Sequence, residues 1–526
     1  MFLGMPRTES RVLPTTGGLV RGAVAADGVV AYRGIPYAAA PRGAGRFAAP
    51  GPAPQWAGVR DALEFGPMPV QPPGRLPGFA SWEPDGEGNP LTVNVWGPVA
   101  AGAPRPVLLW IYGGAYTVGG ADFYLPYELA RAGLVVVTFN YRVGFAGFGH
   151  LPGAPDNRGL LDQLAALRWT RANIAHFGGD PGRITVAGQS AGAGSAAALM
   201  VLPAAAGLFQ RVIAHSVPSE YFSTRLAASI GQQVADSAGA GYNVASFAGL
   251  SDAAILAAQT AVLERFRKDP ASGARHYLPT IYSPVVGSPG PDGAAASGPA
   301  AGDIAPALPG ELLTAGPLQA AAAAPDVALL ATHTVDEFRT FSVGEDGPAE
   351  YTEGDVAALG QAFGLSAAGF AQYRAAAAGL PPAEVYAMLG TDFLFGEYTT
   401  RLAEARGRAG AETYLARFAW PSPAADGAFG ACHGADLPFG FGDLQDGPAV
   451  RLVFGEATPT RSDEALARRM LAAWVAFAYG ADPGWPPVTA SQTPVRIWDH
   501  ADRLAVEQPS PRRAAWAGVD FGVQRG

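Results

Sequence analysis

Short, uninterrupted apolar runs recur along this chain, and they constrain its fold more than any other feature. Val107 to Tyr112, Leu134 to Phe139, Ile184 to Ala187, Val212 to His215, Val327 to Ala331 and Thr413 to Phe418 are rich in β-branched, leucine and aromatic residues and are bounded by Gly, Pro or Asn. The runs are continuous, whereas a strand with one wet face would alternate apolar and polar residues. They therefore predict strands covered on both faces, as in a mostly parallel sheet. Between them, Leu160, Leu161, Leu164 and Leu167 repeat at the spacing of one helix face. Strand, helix, strand, several times over, predicts an α/β chain. With 526 residues, 49% of them hydrophobic, a large core is within reach. We expect one domain over 1–526, because large α/β folds outrun the usual domain length. No internal repeat is evident. Gly287 to Gly302 reads as a surface loop, and Ala320 to Ala324 as the end of a helix.

Several function classes are disfavoured at once. The formal net charge is -9, which argues against nucleic acid as a partner. No run of about 18 apolar residues is present to span a membrane. The single cysteine, Cys432, forbids an intrachain disulfide and fits a reducing compartment. The first ten residues lack the basic and apolar regions of a signal peptide, so a cytoplasmic location is expected. There is no His-Glu-x-x-His and no pair of cysteines, so no metal or other cofactor is expected. The only lysine, Lys268, lies outside any phosphate-loop pattern.

The strongest local motif is Gly188-Gln189-Ser190-Ala191-Gly192. It follows the run Ile184 to Ala187 and opens the small-residue segment Ala193 to Met200, which can be helical. That is the setting of a nucleophile elbow: the turn is so tight that its flanks must be small, and the serine stands at a helix N-terminus. The plain alternative is a glycine-rich turn; Ala235-Asp236-Ser237-Ala238-Gly239 comes close to the pattern but lacks a preceding strand. A serine nucleophile also needs preplaced N–H donors for the oxyanion. Gly113-Gly114-Ala115-Tyr116, directly after the run Val107 to Tyr112, can supply them. The expected donors are the N–H groups of Gly114, Ala115 and Ala191.

At this point the chain resembles the type-B carboxylesterases, a family that includes bacterial para-nitrobenzyl esterases and the cholinesterases. The resemblance rests on Tyr32-Arg33-Gly34-Ile35-Pro36-Tyr37-Ala38, Arg46-Phe47, Leu91 to Trp96, Trp110-Ile111-Tyr112-Gly113-Gly114, Asn140 to Gly144, Asn157 to Gln163, Asn173-Ile174, Phe177 to Pro181, the elbow, Gly207-Leu208-Phe209 and Ser216. It implies an α/β-hydrolase fold, a central mostly parallel sheet flanked by helices, with helical insertions at about 217–325 and 338–425 walling a gorge. It implies hydrolysis of small-molecule carboxylic esters through an acyl-serine, and a Ser-Glu-His triad. Asp336-Glu337 is similar to the family's acid block, with Glu337 as the acid, although Phe338 stands where glycine is usual. His433-Gly434-Ala435-Asp436-Leu437-Pro438-Phe439 is similar to its histidine block, with Asp436 where Glu is usual. The resemblance thus implies a triad of Ser190, Glu337 and His433. Of the other histidines, His176, His215 and His333 all precede the acid. Ser216 is expected to support Glu337. Gln189 replaces a usual Glu and removes a charge beside the site. The family's first disulfide is absent, its positions being Val70 and Pro90.

Other readings are plainer. Cys432 adjoins His433, yet a lone cysteine is most often a small buried hydrophobe. Trp82, Trp110 and Tyr116 could line a substrate pocket or simply be core. The same triad would serve an amide or carbamate hydrolase or an acyltransferase, and relatives that lost the serine are binding proteins; retention of all three residues argues for catalysis. A monomer or weak homo-oligomer is expected.

Overall fold

The computed structural model describes residues 9–25, 28–72, 82–83, 88–99, 102–287, 313–344, 347–348, 350–445 and 447–524. Every apolar run of the sequence becomes a strand. Thirteen strands share one sheet among the described residues: β1 (Glu9–Thr15), β2 (Gly18–Val24), β3 (Val29–Pro36), β4 (Val59–Asp61), β5 (Thr92–Pro98), β6 (Arg105–Ile111), β7 (Val135–Phe139), β8 (Gly179–Gln189), β9 (Arg211–His215), β10 (Ala328–Thr334), β11 (Thr413–Phe418), β12 (Pro494–Trp498) and β13 (Arg503–Val506). Their order is β1-β2-β3-β5-β7-β6-β8-β9-β10-β11-β12-β13, with β4 paired to β2. From β7 through β12 every neighbouring pair is parallel. The antiparallel pairs lie at the two flanks.

The uninterrupted runs follow from this burial. Successive side chains point to opposite faces of a strand. Leu109, Val137, Val186, Val212 and Leu329 enter one core, while Leu108, Trp110, Val136, Ala187, Ile213 and Leu330 enter the other. The helix Arg158–Asn173 covers one face and buries Leu160, Leu164 and Leu167 completely. Truncating one of these leucines to Ala costs about 2–5 kcal/mol, because transfer energy is lost and a cavity is left.

The insertion at 217–325 carries the helices Thr224–Ser237 and Asp252–Lys268. The one at 338–425 carries Glu353–Ala362, Ala367–Ala376, Pro382–Thr391 and Glu397–Arg408, and also returns β11 to the sheet. Ala320 to Ala324 is made of turns, not the end of a helix. Pro317 and Pro325 bracket a stretch too short to nucleate one. Of the loop expected at Gly287 to Gly302, residues 288–302 lie outside the described residues. No described helix is long and apolar enough to cross a membrane.

The strand order decides which residues meet. In an open parallel sheet, ligand-handling loops gather at the carboxyl ends of the strands. Here β6, β8, β9 and β10 are consecutive neighbours, with Ile111 opposite Gly188, Gln189 opposite His215, and Thr332 opposite His215.

Candidate active site

Ser190 sits between β8 and the helix Ala191–Val201 with φ 57° and ψ −127°. This is a left-handed backbone that a non-glycine residue adopts only at a cost. The surroundings hold it there: Ser190 N–H donates to the His215 carbonyl at 2.9 Å, and Gly194 N–H donates to the Ser190 carbonyl at 2.9 Å. The flanking glycines are demanded by space. A Cβ on Gly192 would lie 2.0 Å from the Ile111 carbonyl oxygen, and one on Gly188 would lie 2.5 Å from the Gly192 carbonyl. The half-buried Ser190 thus stands at the first turn of a helix, where the dipole favours a developing anion.

Glu337 and His433 approach from the neighbouring loops. Glu337 follows β10 and is fully buried. Its Oε2 lies 2.5 Å from His433 Nδ1. Its Oε1 accepts from Ser216 Oγ at 2.6 Å and from the Thr334 N–H at 2.7 Å. Three donors therefore satisfy a carboxylate that burial would otherwise destabilise. Ser216, at the end of β9, also has a left-handed φ of 57°. Asp336 turns elsewhere. Its Oδ2 accepts the Ala431 N–H at 3.0 Å, and its Oδ1 pairs with Arg339 at 3.3 Å. It fixes the chain just before Cys432 and His433. Phe338 has an ordinary helical backbone (φ −76°), so no glycine is needed at that position. Its ring packs on Gly390, Tyr386 and Phe341.

With Nδ1–H committed to Glu337, His433 Nε2 carries the lone pair. That nitrogen lies 2.9 Å from Gln189 Nε2, which donates to it. Gln189 is 5% exposed, so its side chain faces the imidazole and not solvent. Ser190 Oγ makes no hydrogen bond to His433 among the described residues.

The loop after β6 is bent by three consecutive positive φ values: Gly114 (118°), Ala115 (53°) and Tyr116 (58°). A Cβ on Gly114 would meet the Val118 carbonyl oxygen at 2.1 Å. Gly113 lies directly against the elbow, where a Cβ would come within 3.0 Å of Ser190 Cβ. The N–H groups of Gly114, Ala115 and Ala191 have no protein acceptor among the described residues. N–H groups without an acceptor beside a serine are able to receive an anion.

Tyr116 is 3% exposed, and its ring packs on Phe148 at 4.7 Å, in the core. Trp110 is fully buried between Tyr124, Phe441 and Trp474. Trp82 is half-buried. Cys432 is buried, and burial pushes its thiol up to about 11, which keeps it a neutral hydrophobe. His215 pairs with Asp436 in the interior. His333 accepts from Arg417, and burial lowers it to about 4, so it stays neutral. No group of His, Cys, Asp and Glu is arranged to hold a metal ion among the described residues.

Sequence reasoning missed the aromatic lid of the imidazole. Phe395 lies 4.4 Å and Phe341 5.6 Å from the His433 ring, centroid to centroid. Phe395 comes from a one-turn π-helix, Asp392–Gly396, inside an otherwise α-helical stretch. Such turns gather at functional sites, but they leave no regular spacing to read.

With this geometry in hand, the likeness to known proteins is informative. The carboxylesterase family model matches residues 9–503. A para-nitrobenzyl esterase of Bacillus subtilis (strain 168) is 43% identical over 226 residues, 42% of this chain and 46% of that protein. The phenmedipham hydrolase of Pseudarthrobacter oxydans is 45% identical over 211 residues, 39% of this chain and 42% of that protein. The matched stretches span less than half the length of either relative. Over whole chains, a pNB esterase structure superposes with a TM-score of 0.81 at 29% identity, covering 96% of this chain and 99% of that one. A Geobacillus stearothermophilus carboxylesterase gives 0.77 at 30% identity with the same coverage. A mostly parallel sheet clad in helices, matched end to end by esterase structures, is the α/β-hydrolase fold, and the chain belongs to the carboxylesterase family.

Proposed function

We propose that this chain hydrolyses small-molecule carboxylic esters by way of an acyl group on Ser190, with His433 as base and Glu337 as acid. One observation carries the reading. A fully buried carboxylate, held by Ser216 and Thr334, lies 2.5 Å from His433 Nδ1. That contact fixes the tautomer whose free nitrogen can take a proton.

In the proposed sequence, His433 Nε2 leaves the Gln189 amide and accepts the proton of Ser190 as Oγ attacks the ester carbonyl. The carbonyl oxygen becomes an oxyanion and accepts from the N–H groups of Gly114, Ala115 and Ala191. The intermediate collapses, the carbon–oxygen ester bond breaks, and the imidazolium returns its proton to the departing alcohol. Water, activated by the same histidine, then releases the acid and restores Ser190. Glu337 stabilises the imidazolium. No cofactor enters this scheme.

A fluorophosphonate should form a single adduct, mapped to Ser190 by peptide mass spectrometry. Ester turnover should be abolished by the adduct and untouched by chelators. An adduct on another residue, or inhibition by a chelator, would overturn the scheme.

A further inference from the structure

The opposite edge of the sheet holds a cavity that the proposed chemistry does not use. It has a volume of about 250 Å³ and lies at the amino ends of β6 and β8, away from the carboxyl edge that carries Ser190. Its apolar walls include Leu13, Val30, Val95 and Phe177, and its polar residues are Arg11, Arg105, His176 and Tyr32. No Asp or Glu lines it among the described residues. The whole chain carries an acidic excess of nine charges, yet this cavity is lined by two arginines. Neither Arg11 nor Arg105 forms an ion pair among the described residues; Arg11 Nη1 donates only to the Val99 carbonyl, at 2.7 Å.

Tyr32 adds an independent observation. Its side chain is 1% exposed, its ring meets Phe177 edge-on at 5.0 Å, and its hydroxyl is buried with no hydrogen-bond partner among the described residues. A buried hydroxyl left unpaired costs about 1–3 kcal/mol, and such groups call for an explanation. Burial raises Tyr32 to about 12, against the opposing influence of Arg11. It is therefore a neutral donor at ordinary pH, within electrostatic reach of a cation. A donor hydroxyl and two guanidiniums over apolar walls are the complement of one ligand class: an anionic head on a compact apolar body.

We infer that this cavity is a second binding site, for a small organic carboxylate, in which Arg11, Arg105 and Tyr32 hold the carboxylate while Leu13, Val30, Val95 and Phe177 enclose the rest. The acid product of an ester hydrolase belongs to this class, yet the site stands whether or not Ser190 is the nucleophile.

Isothermal titration of the full chain with benzoate tests it, with benzamide and inorganic phosphate as companion probes. Benzoate should saturate a site whose affinity falls at least ten-fold in the double variant Arg11→Gln/Arg105→Gln and several-fold in Tyr32→Phe. Tyr32→Phe keeps the ring against Phe177. Benzamide, of the same shape without the charge, should bind at least ten-fold more weakly, and phosphate, without the apolar body, should do likewise. Unchanged circular dichroism and ester turnover would show that the variants remain folded. The inference falls if benzoate gives no saturable heat, or if the double variant binds it as tightly as the parent. It falls equally if benzamide or phosphate matches benzoate.

Discussion

Replacing Gln189 by Glu probes the polar contact that the free nitrogen of His433 makes. In the structure the Gln189 amide donates to His433 Nε2 at 2.9 Å, an arrangement open only to the neutral imidazole. A carboxylate in the same place would reverse both effects. It offers no donor to the lone pair, and its charge favours the protonated ring. With the charge centres about 4 Å apart, Coulomb's law at an effective dielectric of 20 gives about 4 kcal/mol, equivalent to about 3 pH units. The His433 side chain keeps 10% of its exposure, and solvent and side-chain relaxation screen part of that. We expect the acidic limb of kcat/KM on a neutral ester to move up by about 1–2 pH units in Gln189→Glu. Gln189→Met, which removes the donor and adds no charge, should move it up by less. Stopped-flow or steady-state profiles from pH 4.5 to 9 on all three proteins decide the matter. Overlaid limbs, or a limb displaced to lower pH in Gln189→Glu, would refute the electrostatic argument.

Three further perturbations test the geometry. Glu337→Gln should lower kcat by about 10⁴-fold, since an amide can neither fix the tautomer nor stabilise the imidazolium, whereas Asp336→Asn should lose far less; steady-state kinetics showing the reverse ranking would reassign the acid. Gly192→Ala places a methyl group 2.0 Å from the Ile111 carbonyl, so thermal melts should show destabilisation and ester turnover should collapse; an active, stable variant would contradict the described elbow. Glu220 is buried with its Oε1 unpartnered among the described residues, and burial pushes it up from the ordinary 4.5 to about 8. An acid raised in the folded state contributes stability that is intact below about pH 4.5 and lost as pH rises towards 8, by up to about 5 kcal/mol. Glu220→Gln should therefore gain in Tm relative to the parent as pH climbs from 5 to 9, and a pH-independent difference would show that the carboxyl finds a partner.

Much of this arrangement is legible in the residues because the physics is local. An elbow needs a strand, small flanks and a helix, all within reach of Ser190 in the sequence, and the continuous apolar runs announce burial on both faces. The partnership of Glu337 with Ser216 could be expected only from family likeness, because residues 121 apart meet through strand order, which no periodicity encodes. Asp336 and Glu337 are adjacent carboxylates of nearly equal chemistry. Only the turn after β10, which sends one towards His433 and the other towards Ala431, separates them. The aromatic cover over the imidazole was invisible for a related reason: Phe395 reaches it by a local widening of a helix. Tyr116 shows the converse, since a residue beside the oxyanion loop by sequence spends its ring on the core.

The left-handed backbones of Ala115, Tyr116, Ser190 and Ser216 bear on how this chain would respond to selection for heat resistance. Each holds an L-residue where glycine would rest more easily, at a local cost on the order of 1 kcal/mol or more. A screen for melting temperature alone would find glycine there among the rewarded replacements wherever relief of strain exceeds the added freedom of the unfolded chain. At Ser216 and Ser190 the same exchange deletes a hydroxyl that the proposed chemistry requires. At Ala115 and Tyr116 it frees the loop whose rigidity keeps its N–H groups aimed. Robustness and turnover are thus set against each other at these few positions, and a library meant to improve both should hold them fixed and seek its gains elsewhere.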